Sequence, residues 1–170
     1  CRLNQYEALA MEGKLRRAGY QIVPFGEPAD FGIINTCTVT NEADAKSRNT
    51  IRRFIRSNPS AVVVVVGCYS QVSANEVATI KGVDYIIGNH DKLNFLDYLE
   101  AVKTESPVIV RERISSEDFS IGFVGESGFD QRANLKIQDG CDFSCSFCII
   151  PQARGRARSR SWLDLIEEAK

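Results

Sequence analysis

The stretch Ala61-Val-Val-Val-Val-Val-Gly67 places five consecutive valines between an alanine and a glycine. β-branched side chains favour extended backbone, and an unbroken apolar run is typical of a strand that is covered on both faces, as in a parallel sheet. The run is much shorter than the roughly 20 apolar residues that a membrane helix needs. The valines therefore predict a central strand of a parallel sheet.

Helical and extended patterns alternate on both sides of this strand. Apolar residues recur at helical spacing from Ala8 to Ala18, and an acidic first turn begins a second predicted helix from Asn41 to about Ser57. Further strands are predicted at 21–25, 31–36 and 83–88, and further helices at 73–81 and 92–103. This alternation predicts an α/β fold in which an open parallel sheet has flanking helices.

The periodicity divides the chain into three parts. Residues 1–103 form the first predicted domain, and 104–130, which are acidic and interrupted by glycines, are interpreted as a linker. Residues 131–170 begin a second domain with a strand at 133–138, a cysteine-rich loop, an arginine-rich stretch and a helix starting near Ser161. Because the sequence opens on Cys1 without an initiator Met and stops within a helical pattern, we expect it to be a piece of a longer protein.

Composition excludes several classes of protein. The net charge is −1, with 21 Lys and Arg against 22 Asp and Glu, so no overall basicity indicates a nucleic-acid partner. The six cysteines contrast with one histidine. A disulfide framework is typical of small secreted chains, and no signal peptide is visible here. A lipid anchor on Cys1 is also disfavoured, because helical sequence follows where a flexible tether would be expected.

Three cysteines follow the predicted strand at 133–138 in the spacing Cys141-x3-Cys145-x2-Cys148. A disulfide would leave the third thiol over, and structural zinc needs four ligands, whereas no fourth Cys or His follows. An iron–sulfur cluster that is held by three cysteines keeps one iron open. The spacing therefore favours a cluster over zinc, and Phe147 is placed where its ring can pack on a flat ligand.

Two more cysteines directly follow predicted parallel strands, namely Cys37 after 31–36 and Cys68 after the valines. Ligands of open α/β sheets collect at the carboxyl ends of the strands. Cys1 precedes the first helix, so we place it at the same edge. The three thiols can converge on one ligand, although free cysteine is also a common buried apolar residue.

Four ordered motifs carry a resemblance to a known family. They are Cys1-Arg-Leu-Asn-Gln-Tyr-Glu7, Asn35-Thr-Cys-Thr-Val-Thr-Asn-Glu-Ala-Asp44, Gly67-Cys-Tyr-Ser-Gln71 and Gly140-Cys-Asp-Phe-Ser-Cys-Ser-Phe-Cys-Ile-Ile-Pro151. The chain resembles the radical S-adenosylmethionine methylthiotransferases. The first two motifs are most similar to the branch that modifies threonylcarbamoyladenosine beside the tRNA anticodon. Gln152 departs from the family pattern, which often has an aromatic residue there.

The resemblance implies a fold, cofactors and a reaction. The fold is the methylthiotransferase amino-terminal domain followed by the first strand–loop–helix of a radical-SAM TIM-type barrel. The cofactors are S-adenosylmethionine, with Phe147 near it, and two [4Fe-4S] clusters, one on Cys1, Cys37 and Cys68 and one on Cys141, Cys145 and Cys148. The reaction inserts sulfur and a methyl group at C2 of the modified adenosine. The partners are a tRNA anticodon loop, a reductant and a sulfur donor, in the cytoplasm and without a membrane.

The motifs are also compatible with other functions. Related branches act on isopentenyladenosine in tRNA or on a ribosomal-protein aspartate, and non-catalytic possibilities are a two-cluster electron carrier and a zinc-stabilised RNA-binding module. Four arginines follow the cysteine loop, and they either contact tRNA phosphates or brace the site: Arg154, Arg156, Arg158 and Arg160. A further stripe on the second predicted helix, Arg48, Arg52 and Arg56, is more typical of a solvated face.

Overall fold

The computed structural model describes residues 2–98, 102–114, 117, 119–121 and 134–170. The helices are α1 (Arg2–Arg17), α2 (Asn41–Ser57), α3 (Cys68–Val72), α4 (Ala74–Ala78), α5 (Ile150–Arg154) and α6 (Trp162–Ala169), with one 3-10 helix, η1 (Lys92–Tyr98). The strands are β1 (Phe31–Thr36), β2 (Val62–Gly67), β3 (Tyr85–Ile87), β4 (Val108–Val110), β5 (Gln138–Asp139) and β6 (Arg158–Ser159). In the described part of the chain, no helix is both long and apolar enough to cross a membrane.

The first four strands form one parallel sheet in the order β1-β2-β3-β4. Every residue of β2 is buried, because the alternating valines face opposite layers. Val63 and Val65 pack with α2, which contributes Ile51 and Phe54. Val64 and Val66 pack with Met11 of α1 and Phe95 of η1 on the other face. The predicted α/β fold with an open parallel sheet is thus confirmed.

Several local predictions differ from the structure. Residues 21–25 form no strand; Phe25 makes only an isolated bridge to Glu27, next to a turn in which Glu27 N–H donates to Pro24. The helix predicted at 73–81 is the shorter α4, and an additional short helix that was not predicted, α3, begins directly at Cys68. Of the helix predicted at 92–103, residues 92–98 form the 3-10 helix η1, and residues 99–101 lie outside the described residues.

The segment interpreted as a linker contributes a strand to the sheet. The short apolar run β4 pairs with β3, since Val108 N–H donates to Asp84 O and Gly88 N–H donates to Val110 O, both at 2.8 Å. The sheet therefore extends beyond residue 103, and only the part of 104–130 after β4 remains available as a linker. Residues 122–133 lie outside the described residues.

The last part of the chain contains a small antiparallel pair rather than a parallel strand. β5 and β6 pair around the cysteine loop, and α6 follows with Ser161 directly before it, as the sequence predicts. The strand predicted at 133–138 is shorter than expected, since residues 134–137 precede β5 without strand assignment. The radical-SAM barrel therefore remains an expectation from the resemblance.

We predict that Gly67→Ala destabilises the chain more than Gly19→Ala. Both glycines have positive φ, +101° and +88°, which costs another residue about 1–2 kcal/mol. At Gly67 a Cβ would also lie 2.5 Å from the Thr36 backbone oxygen, whereas at Gly19 it would meet open space. Urea unfolding of the two variants measures the difference in free energy of unfolding. Equal losses would show that β1 and β2 separate easily at this point.

Candidate functional site

Cys37 and Cys68 leave the sheet side by side. Thr36 and Gly67 are register partners at the ends of β1 and β2, and each cysteine is the next residue along its chain segment. Cys68 is buried and Cys37 is half-buried, and both thiols are free. The carboxyl edge of two neighbouring strands therefore carries two thiols, as the sequence predicts.

The start of α1 is tied to the same edge. The Asn4 side chain donates to the Asn35 backbone oxygen at 3.4 Å, and the Asn35 side chain donates to the Asn4 backbone oxygen at 3.0 Å. This reciprocal pair fixes the first motif beside the end of β1. Cys1 lies outside the described residues, so its convergence with Cys37 and Cys68 stays a prediction.

The second cysteine set lies on a loop whose two ends touch. Cys141 N–H donates to Gly155 O at 3.1 Å, and a Cβ on Gly140 would lie only 2.0 Å from Arg156 O. Within the loop, Cys148 N–H donates to Cys145 O at 3.0 Å. Cys145 is exposed, while Cys141 and Cys148 are half-buried. A glycine at position 140 is therefore needed for the loop to close.

The donor set of this loop fits an iron–sulfur cluster. All three of its thiols are free and stand on one short closed segment, and the convergence of their sulfurs on a common ligand stays a prediction. Thiolates are the usual ligands of such clusters, and three of them leave one iron open. Phe147 is 91% exposed, so its predicted contact with a cofactor stays a prediction.

The two cysteine sets are joined through α3 and α5. The Asn89 side-chain amide donates both to the Cys68 sulfur, at 3.4 Å, and to the backbone oxygen of Ala153 in α5. Asn89 N–H in turn donates to the Gln71 side chain of α3 at 2.8 Å. One buried amide thus contacts the Cys68 thiol and the helix that follows the Cys141–Cys148 loop.

A buried cluster of charges holds these elements together, and we call it the Glu7 network. The Glu7 carboxylate, which has no exposed side-chain surface, lies 2.5 Å from Lys92 Nζ, 2.7 Å from Lys136 Nζ and 3.0 Å from Arg154 Nη1. Asp139 is the second carboxylate, at 2.7 Å from Lys136 and 2.9 Å from Arg154. Three buried cations therefore share two carboxylates.

Attraction by these cations determines the titration of both carboxylates. Burial alone would raise the pKa of Glu7, but Lys92, Arg154 and Lys136 together hold that pKa far below its usual value. Burial likewise opposes ionisation of Asp139, and Arg154 followed by Lys136 lowers its pKa. Both groups are therefore charged in the folded protein at neutral pH.

One protein family matches slightly more than half of the chain. Residues 1–88 match the uncharacterized protein family UPF0004. The match includes β1, β2 and β3, together with Cys37 and Cys68. The chain belongs to this family. The matched residues include Glu7, Cys37 and Cys68.

Similar curated proteins extend over the whole chain. The chain is 42% identical to the threonylcarbamoyladenosine tRNA methylthiotransferase MtaB of Bacillus subtilis (strain 168), over 100% of this chain and 38% of that protein. It is 38% identical to MtaB of Aquifex aeolicus (strain VF5), over 100% of this chain and 42% of that protein. It is 31% identical to a tRNA-2-methylthio-N(6)-dimethylallyladenosine synthase of Clostridium tetani (strain Massachusetts / E88), over 100% of this chain and 39% of that protein. The UPF0004 chain thus spans about two fifths of the length of these relatives.

The structure corrects the RNA-binding interpretation of Arg154 and Arg160. The side chain of Arg154 is 3% exposed within the Glu7 network. Arg160 has no exposed side-chain surface; it pairs with Asp164 at 2.7 Å and with Glu168. Buried, paired guanidinium groups cannot reach a phosphate, so the bracing alternative holds for these two.

The other arginines differ in their exposure. The side chain of Arg158 is 9% exposed, lies 3.6 Å from Asp139 and stacks over the Phe119 ring. Arg156 is exposed, so its contact with tRNA stays a prediction. On α2, Arg48 donates to the Tyr69 hydroxyl and pairs with Glu76, so this end of the arginine stripe anchors α2 to α3 and α4.

We predict that Glu7→Gln lowers the free energy of unfolding of the chain by about 3–5 kcal/mol at pH 7. Removing one partner of a buried ion pair leaves an uncompensated charge, and here the remaining carboxylate cannot balance three cations. Glu12→Gln, on the same helix, is the control, since its exposed pair with Arg16 contributes less than about 1 kcal/mol. Similar losses in both variants would contradict the role of the network.

The same pairs predict a pH dependence. Because the pKa of Glu7 and that of Asp139 are lower in the folded than in the unfolded chain, their stabilisation is present above about pH 4 and is lost as the pH falls further. Urea midpoints between pH 7 and pH 2 should therefore fall more steeply below pH 4 for the wild type than for Glu7→Gln. Parallel curves would contradict this sign.

Proposed function

We propose that the full-length protein is a tRNA methylthiotransferase that inserts sulfur and a methyl group at C2 of N6-threonylcarbamoyladenosine beside the anticodon. The observation that carries the proposal is that Asn89 links the Cys68 thiol to α5, the helix that directly follows the second set of free thiols. A non-catalytic RNA-binding module would not need two cysteine sets that are linked in this way. The names of the most similar relatives supply the nucleoside.

The proposal gives each cysteine set its own [4Fe-4S] cluster. Cys141, Cys145 and Cys148 would hold one cluster, and Cys37 and Cys68, together with Cys1, would hold the other. When bound, the clusters supply an open iron at each position, one for binding and reducing S-adenosylmethionine and one for carrying the sulfur to be inserted. A third ligand from Cys1 is supported by the bonding of Asn4 to Asn35 at the same edge.

The residues of this chain contribute position and charge to that chemistry. The closed base of the cysteine loop presents Cys145 and Phe147 to the exterior, where a cofactor can approach. The Glu7 network keeps the helix after this loop against the edge that carries Cys68. The proposed reaction brings S-adenosylmethionine at one cluster and the sulfur at the other to the same adenosine. A fixed distance between the two cysteine sets would keep these reactants close to each other.

A cavity beside the cysteine loop favours an anionic group, because two arginines in its lining outnumber the one carboxylate, Glu117. It has a volume of about 660 Å³ and lies between α3, α5 and the chain after β4. Its polar lining consists of Gln71, Arg113, Glu117, Gln152 and Arg156. The threonylcarbamoyl group carries a carboxylate and a hydroxyl, whereas the isopentenyl group is hydrocarbon. A site with arginine and amide groups would reject the apolar analogue, because its own polar groups would lose their partners.

The remaining elements of the proposal follow from the chemistry. Thiolates and iron–sulfur clusters need a reducing compartment, so we place the protein in the cytoplasm. A reductant for the clusters and a donor for the sulfur complete the set of partners. A single-stranded anticodon loop exposes the target base at low energetic cost.

Analysis of cellular tRNA from a deletion strain tests this function. We expect the 2-methylthio derivative of threonylcarbamoyladenosine to disappear and to return with the full-length wild-type protein. Cys68→Ala and Cys145→Ala should both fail to restore it, because each removes one ligand of a different cluster. Ser146→Ala, an exposed neighbour in the same loop, is the control and should restore it.

The same digest distinguishes the alternatives. Loss of the methylthio-isopentenyl nucleoside, or of the ribosomal-protein modification, with the threonylcarbamoyl derivative intact would contradict the proposed substrate. Full restoration by Cys68→Ala would contradict the need for the cysteine set at the sheet edge.

A further inference from the structure

Asn89 occupies a position that neither the cysteine motifs nor the comparisons explain. It lies just after β3, is 5% exposed, and contacts Cys68 with the side-chain nitrogen that also donates to Ala153. Its side-chain oxygen accepts from Lys92 Nζ at 2.8 Å. All the polar atoms of this buried amide therefore have partners.

The partners determine which end of the amide faces the sulfur. Lys92 Nζ can only donate, so it must face the amide oxygen. The Ala153 backbone oxygen can only accept, so it must face the amide nitrogen. The nitrogen side is also the one directed at Cys68, at 3.4 Å. A flipped amide would place its nitrogen against Lys92 Nζ and its oxygen against the Ala153 backbone oxygen, which excludes the reverse orientation.

Lys92 makes this amide a stronger donor. A cation on the oxygen polarises the amide and increases the positive charge on its N–H groups, and this polarisation is stronger in a buried site than in water. Lys92 is itself fixed by Glu7 at 2.5 Å. A continuous polar chain thus runs from Glu7 through Lys92 and Asn89 to the Cys68 sulfur.

We propose that Asn89 is a positioning residue whose N–H···S hydrogen bond to Cys68 raises the reduction potential of the cluster that this cysteine helps to hold. The inference rests on the proposed function, because it requires a cluster at Cys68. Reduction adds one electron to the cluster and increases the negative charge on its sulfur ligands. A donor that faces the sulfur stabilises the reduced state more than the oxidised state, and hydrogen bonds to sulfur are a known determinant of cluster potentials.

The test uses the full-length protein with Cys141, Cys145 and Cys148 replaced by alanine, so that only the cluster at the sheet edge remains. In this background, Asn89→Leu removes the donor while keeping a side chain of similar size, and Asn89→Ala removes it with a smaller one. Asn94→Leu is the matched control, since Asn94 is exposed on η1. Redox titration followed by electron paramagnetic resonance gives the midpoint potential, and iron analysis gives the occupancy.

We expect both Asn89 variants to retain iron and to show a more negative midpoint potential than the Asn94 control. A tenfold change in the reduction equilibrium corresponds to about 59 mV for one electron, and we expect a shift of at least this size. A merely structural role would not move the potential of a cluster that is still present.

Three results would overturn the proposal. Unchanged potential in both iron-loaded Asn89 variants would show that the amide does not affect the cluster. Loss of iron from both variants, with iron retained by the control, would show that Asn89 maintains the binding site instead of adjusting its potential. Absence of iron already in the parent background would refute the two-cluster assignment in the proposed function, and this inference with it.

Discussion

The buried Glu7 carboxylate is the interaction on which the arrangement of this molecule depends. It lies on α1, yet it pairs with Lys92 of η1, with Lys136 before β5 and with Arg154 of α5. These partners come from three different regions of the chain, and the most distant is separated from Glu7 by 147 residues. One side chain therefore connects the sheet domain to the segment that carries the second cysteine set.

An intact buried ion pair adds little net stability, although removing one of its partners is costly. Removing ions from water has a large energetic penalty, which mutual attraction offsets only when the geometry is good. In this network, the bidentate contact of Arg154 with Glu7 and the contacts of Lys136 with two carboxylates provide that geometry. The cations outnumber the carboxylates, and this positive excess lies beside Cys68, to which Asn89 connects it. Positive charge near Cys68 stabilises the negatively charged thiolate form of this ligand.

The sequence predicted those features that depend on local pattern. The valine run predicted the central strand. Because Cys37 and Cys68 directly follow two predicted parallel strands, the sequence also placed both cysteines at one edge of the sheet. The short strand β4 was missed because its three residues stand in an acidic stretch that otherwise lacks periodicity. The bracing role of Arg154 was left open because its partner lies at the other end of the chain, and no local pattern indicates such a pair.

Hydrogen exchange of the Glu7→Gln variant tests most directly whether the network holds the two cysteine sets together. We expect residues 136–156 to lose more protection than β2 and β3, because the sheet retains its own apolar layers. Glu12→Gln should leave both regions unchanged. Unaltered exchange in residues 136–156, or an equal loss of protection across the sheet, would contradict the claim that this carboxylate joins the cysteine loop to the sheet edge.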